Sequence, residues 1–115
     1  MISTEKATQA TILEYLAVRG IFHYRNNSGA MKAAHGGYVR FGTKGSPDII
    51  CVLQGRYIGI EVKDIKGRLS DSQKQFQEQL EAAGGIYLVA RDIDMIIDFF
   101  ERALTTKHSG VGNTA

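Results

Sequence analysis

The sequence predicts one α/β domain built on a central mixed β-sheet flanked by helices, in the order α-β-β-β-β-α-β-α. Three features carry that expectation. A helix-periodic segment opens the chain, and short apolar runs broken by glycine fill its middle. A strand–helix–strand stretch over residues 57–90 is long enough to cross between parallel neighbours. At 115 residues the chain has length for one core and not for two.

The first helix is expected over residues 4–19, capped by Ser3 or Thr4 and stopped by Gly20. Ile12, Leu13 and Leu16 form its apolar stripe. Gln9 and Glu5 fall on the same side, whereas Glu14 projects away. Residues 21–25 read as a strand, followed by the turn-like Asn26-Asn27-Ser28-Gly29. Gly36-Gly37 precedes a short strand at 38–41, and residues 42–47 form a loop. Asp48 opens the apolar run 49–53, and Gln54-Gly55-Arg56 is short enough for a hairpin into 57–63. Ser70 caps the second helix, with Gln73 completing a capping box; Phe76, Leu80 and Ala83 are its expected buried face and Gly84-Gly85 its end. Residues 86–90 are wholly apolar, as in a strand covered on both faces. Asp92 or Asp94 then opens a last helix through Phe100 and Ala103. Residues 1–104 are expected as the folded domain and 105–115, small and polar, as a disordered tail.

Composition narrows the function classes. Hydrophobic residues at 43% and charged residues at 23% are ordinary for a soluble domain. No apolar run approaches the roughly 18 residues of a membrane span, and the N-terminus has no signal-like apolar region. The single cysteine, Cys51, precludes an internal disulfide and suits a reducing compartment, so the cytoplasm is expected. It lies in an apolar run and reads as a core residue rather than a nucleophile. The three histidines show no metal-ligand spacing with it. The glycines before Asp48 do not form a phosphate loop, which argues against a nucleotide cofactor. Net charge is only +2, yet Arg19, Arg25, Lys32, Arg40 and Lys44 precede Asp48 with no acidic residue among them, and Lys63, Lys66 and Arg68 follow Glu61. Such groups suit a polyanion beside a cation site, or an ordinary solvated surface.

The chemistry resides in Asp48, Glu61 and Lys63. Strand residues two apart share a face, so Glu61 and Lys63 point together with Gly59 and Tyr57, and Ile58, Ile60 and Val62 face the core. Counting outward from Gly55 sets Asp48 opposite Val62, within one residue of Glu61 and Lys63. Two carboxylates with room for water suit Mg²⁺, and the Val62 carbonyl offers a further ligand. A cation so held polarises a phosphoryl oxygen, while Lys63 orients water or offsets developing charge. Spacing alone favours a plain salt bridge over a metal site, with Lys63 neutralising both carboxylates.

Taken together, Gly45-Ser46-Pro47-Asp48, Glu61-Val62-Lys63 and Gly67-Arg68-Leu69-Ser70-x-x-Gln73-x-x-Phe76 resemble the VRR-NUC family, a branch of the PD-(D/E)xK nucleases. The resemblance extends to Glu5, Gln9, Gly20 and Arg25-Asn26-Asn27-Ser28-Gly29, and forward to Gly84-Gly85 and Val89-Ala90. It implies a restriction-endonuclease-like fold and an Mg²⁺- or Mn²⁺-dependent endodeoxyribonuclease. On that likeness Asp48 and Glu61 are the metal carboxylates, Lys63 is the catalytic lysine, Gln73 is the helix glutamine near the site, and Glu5 is the first-helix acid. Gln73 has its capping role as an alternative and Glu5 a helix-dipole role. Arg25, Asn26, Asn27, Arg40, Lys44 and Ser46 are the candidate DNA contacts, offering phosphate contacts rather than base reading. The family likeness further implies a Holliday-junction resolvase-like enzyme on branched DNA, acting as a homodimer in DNA repair. So small a stand-alone form suits a phage protein in its host's cytoplasm. The rival readings are a non-cleaving DNA-structure-binding module and a nuclease subunit that needs a partner.

Overall fold

The computed structural model describes residues 4–26 and 29–106, with the backbone alone at 29–31 and 39–41. Helix α1 spans Glu5–Val18, strands β1 to β5 span Phe22–Arg25, Gly29–Lys32, Tyr38–Phe41, Ile49–Leu53 and Arg56–Val62, then follow α2 at Asp71–Ala82, β6 at Ile86–Ala90 and α3 at Ile93–Thr106. The expected order holds, with one strand added. Gly29–Lys32 pairs antiparallel with Tyr38–Phe41 as a separate two-stranded sheet, and these two strands pack on no other helix or strand among the described residues. The main sheet has four strands in the order β1-β4-β5-β6.

Each boundary has a local cause. At the start of α1 the Thr4 hydroxyl accepts from the Ala7 amide at 3.1 Å. At its end Gly20 takes φ +68°, and the amides of Gly20 and Ile21 return to Ala17 and Leu16. That is a Schellman closure, and it turns the chain into β1. The β4–β5 turn is Gln54-Gly55, both at positive φ (54° and 78°), the geometry a two-residue hairpin prefers. The symmetry centre therefore lies between the two residues rather than on Gly55. Ile49 pairs with Ile60, which sets Asp48 level with Glu61 instead of Val62. From β5 the chain crosses through α2 and returns as β6, parallel to β5.

One sheet face is apolar. Ile49, Cys51, Ile58, Ile60, Val62 and Ala90 pack against Ile12 and Leu16 of α1 and Ile96 and Phe100 of α3. Burying a side chain of this size contributes roughly 1.5–3 kcal/mol, so this layer supplies the main cohesion. The Tyr15 hydroxyl and the Arg19 guanidinium both donate to Glu101, tying α1 to α3 at the rim. The other face carries Asp48, Ile50, Gly59, Glu61 and Tyr87, and α2 lies across part of it through Phe76, whose ring centroid is 6.2 Å from that of Tyr87.

Two expectations about packing change. β6 is an edge strand, and Ile86, Leu88 and Val89 are half-buried, because α2 and α3 cover its faces but nothing pairs with its outer side. Helix α2 has no fully buried residue; Phe76 and Leu80 are half-buried and Ala83 is exposed at the C-cap. Helix α3 is capped by Asp92, whose Oδ1 accepts from the Met95 amide, and continues to Thr106. Residues 107–115, most of the expected tail, lie outside the described residues. Among the described residues, no helix is long and apolar enough to cross a membrane.

Candidate active site

The site forms where β4 and β5 reach the same end of the sheet. Pro47 turns the chain into β4 and is fully buried. It fits because β5 has no side chain at Gly59, where a Cβ would stand 2.5 Å from the Pro47 ring. Asn26 secures the same loop. Its side-chain amide donates to Ser46 Oγ (2.8 Å) and to the Pro47 carbonyl (2.9 Å), and its backbone amide to the Asp48 carbonyl (2.8 Å). Gly45 lies so close to α2 that a Cβ would meet the Ser72 carbonyl at 2.2 Å. The loop is thus clamped on three sides before Asp48 begins.

Asp48 Oδ2 accepts from the Val62 amide at 2.8 Å, which fixes the carboxylate against the end of β5. Glu61, level with it on β5, is 4% exposed. Its Oε2 accepts from Gln73 Nε2 at 3.0 Å and lies 3.6 Å from Lys63 Nζ. Its Oε1 is buried and has no hydrogen-bond partner. Burial, then the charge of Asp48, pushes the Glu61 carboxyl up to about 7, against the lowering effect of Lys63. Gln73 makes two contacts with its side chain. Its Oε1 accepts from the Ser70 amide in the capping box, while its Nε2 reaches Glu61.

The loop after Lys63 is held by Glu5 and by two residues the sequence reading did not single out, Asp64 and Arg91. Asp64 Oδ1 accepts from the amides of Lys66 and Gly67. Arg91, at the end of β6, donates to the carbonyls of Asp64 and Gly67. Glu5 reaches from α1, its Oε2 accepting from the Asp64 amide at 3.1 Å. Asx turns leave a sequence signal at Asp64-x-x-Gly67, but the reach of Arg91 from another strand leaves none. Together these residues frame a shallow basic pocket lined by Lys66, Gly67, Arg68 and Arg91.

Glu5 and Gln9 line one pocket with Asp48 and Val62. Among the described residues, however, no three His, Cys, Asp or Glu side chains gather as a metal cluster. Asp48 and Glu61 come together with Lys63 and Gln73, and Glu5 stands at the side, engaged with Asp64. Of the candidate DNA contacts, Arg25 and Lys44 are exposed, and Ser46 and Asn26 are half-buried and bonded to each other. Asn27 and the side chain of Arg40 lie outside the described residues. Two carboxylates, one with an uncommitted buried oxygen, suit a hard divalent cation that keeps several waters.

Comparison with known proteins places the fold. No protein-family model matches this chain, and no curated protein does. Among solved structures, a protein titled "VRR_NUC domain protein" matches over 91% of each chain, with a TM-score of 0.65 and 21% sequence identity. The chain therefore shares its fold with that protein.

Proposed function

We propose that this chain is a metal-dependent DNA endonuclease that hydrolyses phosphodiester bonds with Asp48, Glu61, Lys63 and Gln73. The observation that carries the reading is the buried Glu61 carboxylate, held through Oε2 by Gln73 and Lys63, with Oε1 left unpartnered beside Asp48. A buried ionisable group in that state is costly unless a cation or proton meets it. A plain salt bridge fits less well, because Lys63 approaches only Oε2 and Asp48 adds like charge.

Asp48, Glu61 and the Val62 carbonyl would hold Mg²⁺ or Mn²⁺, with Glu5 as a further candidate through water. A bound cation supplies Lewis acidity at a phosphoryl oxygen and makes water more acidic. Lys63 stands on the same face as Glu61 and is positioned to hold the attacking water and to offset charge on the phosphate. Gln73 fixes the Glu61 carboxylate, so that its open oxygen keeps one orientation. Lys66, Arg68 and Lys44, with Arg25, Asn26, Asn27, Arg40 and Ser46, are the proposed contacts to the DNA backbone. No helix of the fold carries a base-reading array, which favours selection by DNA shape, with branched DNA as the proposed substrate. A homodimer would set two such sites for paired cuts.

The test is cleavage of labelled four-way junction, flap and linear duplex with Mg²⁺, Mn²⁺ or EDTA. Cutting that needs the metal, prefers the junction and falls at least a hundredfold in Lys63→Ala is the expected result. Equal cutting by wild type, Asp48→Ala and Lys63→Ala, all folded, would remove the assignment.

A further inference from the structure

The face that carries Asp48 and Glu61 also holds a tyrosine with no part in the chemistry above. Tyr87 sits on β6 level with Gly59, and Val89 is level with Glu61, so Tyr87 and Glu61 are diagonal neighbours on one face. Strand spacing and rise put their Cα atoms roughly 8 Å apart, and the Glu61 charge acts on the phenol. The Phe76 ring packs against Tyr87, and only 5% of the tyrosine is exposed.

Its hydroxyl is buried without a hydrogen-bond partner. Among the described residues one other side-chain atom shares that condition, and it is Glu61 Oε1. An unpartnered buried hydroxyl costs roughly 1–3 kcal/mol, and native interiors rarely keep one. Two such polar atoms on the same face can be satisfied together by one buried water. Burial and the charges of Glu61 and Asp48 raise the phenol's pKa, so it remains a proton donor toward those carboxylates.

We propose that Tyr87 is a positioning residue for Glu61, its O–H donating through one buried water to Oε1. Gln73 and Lys63 hold Oε2 from one side; Tyr87 holds Oε1 from the other, so the carboxylate cannot swing away from Asp48. The proposal rests on the metal-site reading above.

The experiment measures Mn²⁺ binding to the full chain by paramagnetic resonance of the free ion, without DNA, beside thermal melting. The variants are Tyr87→Phe and, as a control, Tyr57→Phe, a half-buried phenol at the start of β5 whose hydroxyl is not among the unpartnered buried atoms. Expected is a loss of about tenfold in Mn²⁺ affinity for Tyr87→Phe, with a melting temperature at or above wild type, and no change for Tyr57→Phe. Unchanged Mn²⁺ affinity in Tyr87→Phe overturns the role of Tyr87 and leaves the metal site standing. Absence of Mn²⁺ binding in the wild type overturns both together. Should Tyr87→Phe fold poorly, tyrosine difference absorption on adding Mn²⁺ to wild type and Tyr57→Phe decides. A shift in both supports the proposal, and no shift in either overturns it.

Discussion

Glu61 is held in a state its surroundings disfavour, and the sign of that penalty can be measured. Its carboxyl titrates near 7 in the folded protein, because burial and then Asp48 outweigh Lys63, against 4.5 for a free glutamate. The groups around it are Asp48, Lys63, Gln73 and the Tyr87 phenol, and Lys63 alone carries positive charge near its oxygens. Between pH 4.5 and 7 the unfolded chain is the more ionised form, so the metal-free protein loses stability as pH rises through that window and regains none above it. The full effect is on the order of 3 kcal/mol. Glu61→Gln should therefore match wild type near pH 4.5 and exceed it at pH 8 in urea unfolding. If wild-type stability is flat across the window, the burial argument is wrong. Saturating Mg²⁺ should cancel much of the deficit above pH 7, since the cation and the proton compete for one carboxylate. Cys51 shows the same desolvation without function. Its thiol is buried and pushed up to about 12, so it should resist alkylation at pH 8 until the protein unfolds.

At the scale of elements, α2 joins stability to the site through one side chain. Ser70 serves only the helix start, by accepting from the Gln73 amide at 3.2 Å. Gln73 serves the cap and Glu61 together. Ser70→Ala should cost about 1 kcal/mol and leave cleavage at saturating metal within twofold. Gln73→Ala should cost a similar amount and also slow cleavage by about tenfold. Equal loss of activity in the two variants would mean that the cap, and not the contact to Glu61, is what matters. Local signals made most of these elements legible in the sequence. Gly20 and a cap at Ser3 or Thr4 bounded α1, the capping box began α2, and the short Gln54-Gly55-Arg56 connection marked the β4–β5 hairpin. The register missed by one residue because the turn's centre lies between Gln54 and Gly55, and only backbone geometry fixes that. β2 was missed because Gly29-Ala30-Met31-Lys32 has neither alternation nor β-branched residues and no core to pattern it. For the site, Asp48, Glu61 and Lys63 followed from counting along a hairpin. The places of Tyr87 and Arg91 did not, since they depend on the register of β6 against β5, which the expected parallel crossover leaves open.

The whole molecule divides into a packed body and a hairpin that stands apart from it. The body has its own core between the four-stranded sheet, α1 and α3. β2 and β3 pair with each other, and their backbones contact no other helix or strand among the described residues. Their base is narrow, because Asn26 and Ser46 are joined by a 2.8 Å hydrogen bond across the start and end of the excursion. The excursion carries Lys32, Arg40 and Lys44, and no acidic residue lies between Arg25 and Asp48. Replacing residues 29–41 with two glycines should therefore leave the unfolding free energy within about 1 kcal/mol of wild type, since the two strands pair only with each other among the described residues. If the hairpin is a phosphate-binding arm, the same variant should bind DNA more weakly. Losing Lys32 and Arg40 should lower the slope of log affinity against log salt by about 1.8, at roughly 0.9 per phosphate contact. Cleavage at low salt and saturating DNA should persist, because Asp48, Glu61, Lys63 and Gln73 all lie in the body. A stable variant with an unchanged salt slope would assign DNA binding to Lys66, Arg68 and the body alone. A variant that fails to fold would show that the hairpin shapes the Asn26–Ser46 clamp, and through it the position of Asp48.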